Sequence, residues 1–209
     1  IWFTDARTNS IGKFDIETQK MDTIDIPTGN AGPMGIILSP DKSKIWFTEL
    51  SSDQFASLDV ETNQITEYPI KTNSGPSFLA FDENGSLLIT LSYSNSVLVV
   101  PLENIQSNSS PDRYELSLPK SDFFSPFGIA IFKDSQGIEK IIVSDHGSSR
   151  VIISDLKSGL NEYTSLWTSP NEGYPQTLPS QIDLDEFGNI YFAQHGGNKI
   201  SKIDKTLRS

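Results

Sequence analysis

Two histidines and a recurring acid are the side chains in this sequence best suited to chemistry. His146 stands in Asp-His-Gly and His195 in Gln-His-Gly. Imidazole exchanges a proton near neutral pH, so either could serve as a general base toward a proton beside a carbonyl. Asp5, Glu49 and Asp145 each close a copy of one short apolar motif, while Leu91 and Gln194 replace the acid in two other copies. Such a carboxylate set is the usual oxygen-donor set for a hard cation, magnesium or calcium. Plainer readings compete with both assignments. A histidine followed by glycine suits a surface turn, and a strand-end carboxylate can simply accept hydrogen bonds from its own loop. Recurrence of the acid in several copies favours loop capping.

The elements that must position these groups are repeats. IWFTD at residues 1–5 returns as IWFTE at 45–49, LLITL at 87–91, IIVSD at 141–145 and IYFAQ at 190–194. Self-similarity at roughly 40 to 55 residues marks a blade-type repeat. After each motif a polar loop of constant length leads back to an apolar residue: Ile11, Phe55, Val97, Val151 and Ile200. Two positions earlier stand Asn9, Asp53, Asn95, Ser149 and Asn198. Asn and Asp tolerate a left-handed backbone and hydrogen-bond their own turns. Each unit reads as four short strands, in the second unit at 35–38, 44–48, 55–59 and 66–70, with Asn84-Gly85 as a tight hairpin turn in the next.

IWFT is apolar on both faces, as a strand packed between two neighbours would be, which favours a β-propeller over a meander. The expected fold is all-β, a β-propeller of four-stranded antiparallel blades. About four and a half blades are present, part of a six- or seven-bladed ring. Residues 1–209 form one domain, with units near 1–34, 35–76, 77–126, 127–178 and 179–209. Before each first strand lies a proline element centred on Met34, Ser77, Phe127 and Ser180. This connection shares a face with the loop after IWFT(D/E), so the two histidines project from equivalent loops of adjacent blades. Equivalent positions lie on the order of 10 Å apart, the spacing of packed sheets. Trp2 and Trp46 recur at one strand position and read as packing between blades. Phe127, Trp167, Tyr174 and Gln194 are expected to line the histidine face, with the long 167–178 connection as a lid or specificity loop.

Composition narrows the function classes. A net charge of −11 argues against a nucleic-acid footprint. Cysteine is absent, so there is no thiolate nucleophile, thiolate metal site or disulfide framework. No apolar run is long enough for a membrane span. Asn84-Gly85-Ser86 and Asn108-Ser109-Ser110 are glycosylation-type triplets. With the missing cysteine, they lean toward an extracytoplasmic protein.

The succession of Pro-x-Gly-Ile, IWFTE, Asn-x-Ile-Gly-Lys-Phe-Asp and Ile-Thr-Glu-Tyr-Pro-Ile resembles the streptogramin B lyase (virginiamycin B lyase) family of seven-bladed propellers. The resemblance is carried by residues 1–15, 35–70 and 190–204, within a superfamily that includes NHL and gluconolactonase-like propellers. It implies a carbon–oxygen lyase that opens a cyclic depsipeptide ester by elimination, with a histidine base and carboxylate-held magnesium. On this sequence those roles fall to His195 or His146 and to Glu49, Asp145 and Asp5. No organic cofactor is implied. The other reading is a non-catalytic propeller that presents its loop face to a protein, peptide or glycan.

Overall fold

The computed structural model describes residues 1–105, 114–117, 125–147, 149–158, 163–167 and 177–203. Five antiparallel sheets follow one another along the chain, each a meander of neighbouring strands. The first contains β1 (Trp2–Asp5), β2 (Ser10–Phe14) and β3 (Met21–Asp25). The second contains β4 (Pro33–Leu38), β5 (Lys44–Glu49), β6 (Gln54–Asp59) and β7 (Ile65–Pro69). The third contains β8 (Pro76–Phe81), β9 (Ser86–Leu91), β10 (Ser96–Pro101) and β11 (Tyr114–Ser117). The fourth contains β12 (Pro126–Lys133), β13 (Glu139–Asp145), β14 (Arg150–Asp155) and β15 (Tyr163–Trp167). The fifth contains β16 (Pro179–Leu184), β17 (Ile190–Gln194) and β18 (Lys199–Ile203). These sheets are the blades of a β-propeller. β8 packs beside β4 and β12, and β12 beside β16, so the first strands line the interior. Among the described residues no helix is long and apolar enough to cross a membrane.

Burial follows the two-sided apolar pattern of the repeat. Ile45, Trp46 and Phe47 are all buried, on alternating faces of β5. Trp46 packs with Leu79, Leu87 and Ile89 of the third blade, while Phe47 packs with Ile11 of the first. Ile11, Phe55, Val97 and Val151 are fully buried. Ile200 is 79% exposed, on a strand with no fourth partner among the described residues.

The motif's hydroxyl position joins the blades. Thr4 donates to the Met34 carbonyl (2.8 Å), Thr48 to Ser77 (2.6 Å) and Ser144 to Ser180 (2.7 Å), and Thr90 donates to Phe127. Each acceptor lies in the next blade. Every acceptor also lies at a bulge, where one extra residue enters the first strand after Pro33, Pro76, Pro126 and Pro179. Bulges re-aim side chains at strand ends. Close approach at this junction requires glycine: a Cβ on Gly128 would lie 2.1 Å from the Ser180 carbonyl oxygen.

Asn84-Gly85 lies in the hairpin turn between β8 and β9. Gly85 donates to the Asp82 carbonyl and Asp82 to that of Ser86, with Gly85 at φ +80°: a three-residue loop ending in a left-handed residue. Gly137 and Gly188 close the same loop in the fourth and fifth blades, while in the second blade Lys42 (φ +62°) precedes the last residue of a longer loop between Ser39 and Lys44. The expected left-handed residues Asn9, Asp53, Asn95 and Asn198 have φ between +49° and +56°. They do more than turn. Asp53 accepts from the amides of Asn73, Ser74 and Gly75, gripping the connection into the third blade. Asn9 does the same for Ala31, and Ser149 for Thr177.

Candidate functional site

The loop after each second strand is tied to the connection that precedes its blade. Leu50, Ser92, His146 and His195 donate their amides to the carbonyls of Gly32, Gly75, Ser125 and Leu178. His146 and His195 therefore do occupy equivalent loops of adjacent blades. Their rings lean together: the centroids are 6.1 Å apart and the planes 14° from parallel. The ring separation is shorter than the roughly 10 Å spacing of packed sheets. Phe127, re-aimed by the bulge in β12, stacks on the other side of His146 at 4.9 Å and 27°. Phe78, the second residue of the preceding bulge, meets Phe127 edge-on at 5.1 Å. A row of four rings thus crosses the third, fourth and fifth blades.

The two imidazoles are held differently. His146 is half-buried, whereas His195 is exposed. Nδ1 of His146 lies 3.3 Å from the Pro179 carbonyl oxygen. A carbonyl can only accept, so Nδ1 is the donor in this contact, and in the neutral ring Nε2 is then the acceptor. The Leu178 carbonyl that anchors His195 belongs to a residue at φ +47°, where the counterparts in earlier blades are Gly32 and Gly75. A bulky residue in the left-handed region is strained, and strain of this kind gathers at functional sites.

The three carboxylates occupy one repeat position but three different environments. Asp5 accepts from the amides of Arg7 and Thr8, and Thr8 holds its carboxyl below the usual range. Asp145 is fully buried; Oδ1 accepts from the Ser125 amide at 2.9 Å and Oδ2 from Arg150 Nε at 2.8 Å. Glu49 is also fully buried, but among the described residues it has no cation beside it. Its Oε2 accepts from the Ser52 hydroxyl (2.8 Å) and Gln54 Nε2 (3.1 Å), and its Oε1 has no partner. Burial, with the charge of Glu67 adding, pushes Glu49 up to about 7. Glu67 itself accepts from the amide and hydroxyl of Thr28, whose Oγ1 accepts from Gln54.

The structure thus brings His146, His195 and Phe127 together, but not Asp5, Glu49 and Asp145. Among the described residues no three His, Asp or Glu side chains gather around one point that could hold an ion. Asp145 is committed to Arg150 and Asp5 to its own loop. Of the three carboxylates, only Glu49 keeps a buried, unengaged oxygen of the type a hard cation takes. Gln194 turns inward: it is 5% exposed, its Nε2 donates to Ser201, and its Oε1 has no partner. Tyr174 lies outside the described residues, as does the side chain of Trp167.

Sequence reasoning did not identify Phe78, the Pro179 carbonyl, Arg150, or the Gln54–Thr28–Glu67 network. For Arg150 a signal existed. The four-residue loop between second and third strands sets Asp5 opposite Ser10, Glu49 opposite Gln54 and Asp145 opposite Arg150. A cavity of about 340 Å³ runs between the first strands, lined by Ile37, Ile129, Ile131, Gln181, Ile182 and, from the ring row, Phe78.

Solved structures share this architecture. Virginiamycin B lyase from Staphylococcus aureus superposes with a TM-score of 0.76 at 21% identity, over 99% of this chain and 64% of that one. A streptogramin B lyase structure gives 0.76 at 22% identity, over 99% and 62%. A protein of unknown function from Bacteroides caccae gives 0.70 at 11% identity, over 99% and 69%. A catalytically inactive histidine-to-alanine variant of the S. aureus lyase was solved with quinupristin. The chain therefore spans less than two thirds of the length of the lyase structures it matches. No curated protein sequence matches it. The model of the virginiamycin B lyase family matches residues 1–208, nearly every residue on which the blades and both histidine loops are built, so the chain belongs to that family.

Proposed function

We propose that the histidine-bearing face carries out an elimination that opens a cyclic ester, with His146 as the general base. The observation that supports this most is the seating of the His146 ring. It is stacked between Phe127 and His195, its Nδ1 directed at the Pro179 carbonyl and its Nε2 left as acceptor. A base for abstraction beside a carbonyl needs this arrangement: one nitrogen fixed, the other open. In the proposed step Nε2 takes the proton on the carbon next to the substrate carbonyl. The C–H pair becomes a carbon–carbon double bond, the ester C–O bond breaks, and the leaving oxygen departs as a carboxylate. The imidazolium then returns its proton to solvent. His195, exposed and with its ring stacked on one side, contacts the substrate.

A magnesium ion belongs to the proposal in part. It would stabilise the negative charge that develops on the substrate. Glu49, with Glu67 as the neighbouring charge, fits as a donor, while Asp5 and Asp145 do not. The substrate class rests on family membership and on the quinupristin bound to the S. aureus variant.

Product mass tests the reaction type. Elimination gives a linear product isomeric with the cyclic substrate, and hydrolysis adds one water. The proposal expects the isomer from quinupristin, and its loss with His146→Ala. Ligand binding without any product would instead favour the non-catalytic binding module.

A further inference from the structure

At one place in every blade, the last residue of the second strand faces the first residue of the third. The pairs are Asp5–Ser10, Glu49–Gln54, Leu91–Ser96, Asp145–Arg150 and Gln194–Lys199. Among the described residues only the fourth blade makes this pair an ion pair, and it is a buried one. Arg150 Nε lies 2.8 Å from Asp145 Oδ2, with side-chain exposures of 11% and 0%.

Asp145 also closes a small hydrogen-bonded circuit around His146. The Ser125 amide donates to Asp145 Oδ1, and the His146 amide donates to the Ser125 carbonyl, both at 2.9 Å. Arg150 thus fixes the carboxylate, the carboxylate fixes Ser125, and Ser125 fixes the backbone of His146. The fifth blade has the same loop without the pair, and there His195 is exposed.

We infer that Arg150 is a positioning residue that holds His146 in its stack through Asp145 and Ser125. The inference rests on the reading of His146 as the base. Loss of the guanidinium leaves a buried carboxylate without its counter-charge. The carboxylate then holds the Ser125 amide less firmly, and the Ser125–His146 contact loosens with it. A base displaced by about 1 Å can cost on the order of a hundredfold in rate.

The test uses Arg150→Gln, which copies the Gln54 arrangement of the second blade. It keeps a donor and removes the charge. In the wild-type protein, ring currents from Phe127 and His195 displace the NMR signals of the His146 imidazole carbons and their protons. Arg150→Gln should move these signals toward their denatured-state positions and lower kcat at least about tenfold, with KM little changed. Arg150→Lys should restore most of both. If Arg150→Gln fails to fold, Asp145→Asn breaks the same pair and should move the same signals. Unmoved His146 signals in either folded variant overturn the inference. Absence of turnover in the wild type would defeat the elimination reading, while the ring signals would still judge Arg150.

Discussion

Replacing Glu49 with glutamine should remove a pH dependence that the fold carries in one buried carboxyl. Glu49 is fully buried, with one oxygen held by Ser52 and Gln54 and the other without a partner. Burial is the main cause that lifts it from 4.5 to about 7, and Glu67 adds to it. The folded protein therefore holds this proton more tightly than the unfolded chain does. Its contribution to stability is fully present below pH 4.5 and is lost as pH rises through about 7. The size of the shift corresponds to about 3 kcal/mol over that window. Glutamine cannot ionise, so Glu49→Gln lacks the loss. Urea unfolding of both proteins at pH 5, 6, 7 and 8 measures the difference, and subtraction cancels the two histidines. The capping carboxyls of Asp5, Asp15, Asp41, Asp53 and Asp59 are shifted downward, so their stability is lost only at lower pH. The glutamine variant should gain about 2–3 kcal/mol on the wild type between pH 5 and pH 8. A difference that stays constant across the series would show that Glu49 does not carry this pH dependence.

Three further perturbations probe the frame. Thr48→Val should cost about 1–3 kcal/mol in urea unfolding, because it strands the buried Gly35 amide and Ser77 carbonyl that Thr48 joins. Gly128→Ala should cost more than Gly85→Ala, since its Cβ would meet a neighbouring carbonyl at 2.1 Å whereas Gly85 opens on space; thermal melts of the two variants make the comparison. Asp53→Ala should cost about 2 kcal/mol and make the connection at residues 70–75 a site of limited proteolysis, because three amides there lose their acceptor.

The sequence revealed the fold because the repeat registers local physics. Runs apolar on both faces signalled blades buried on both sides, and Asn9, Asp53 and Asn95 signalled left-handed turns within their own loops. Thr48 gave no such signal, since its acceptor lies twenty-nine residues away on the next blade. The hairpin at Asn84-Gly85 was legible from the dipeptide, but its loop length was not, because Asn-Gly also suits the last two residues of a three-residue loop. For the candidate site, repeat position alone grouped Asp5, Glu49 and Asp145 as like groups. Their environments diverge through the residue opposite each: Ser10, Gln54 and Arg150. The pairing of the histidines was legible as adjacent equivalent loops. Their closeness was not, because it depends on the direction each ring takes from its strand end.

The most direct test of the account is the fate of one hydrogen. A cyclic ester carrying deuterium on the carbon beside its carbonyl should turn over more slowly than the protonated ester in single-turnover measurements. The deuterium should be absent from that carbon in the product, and His146→Ala should abolish the reaction. Retention of the deuterium, or equal rates for the two esters with water incorporated, would contradict proton abstraction by His146.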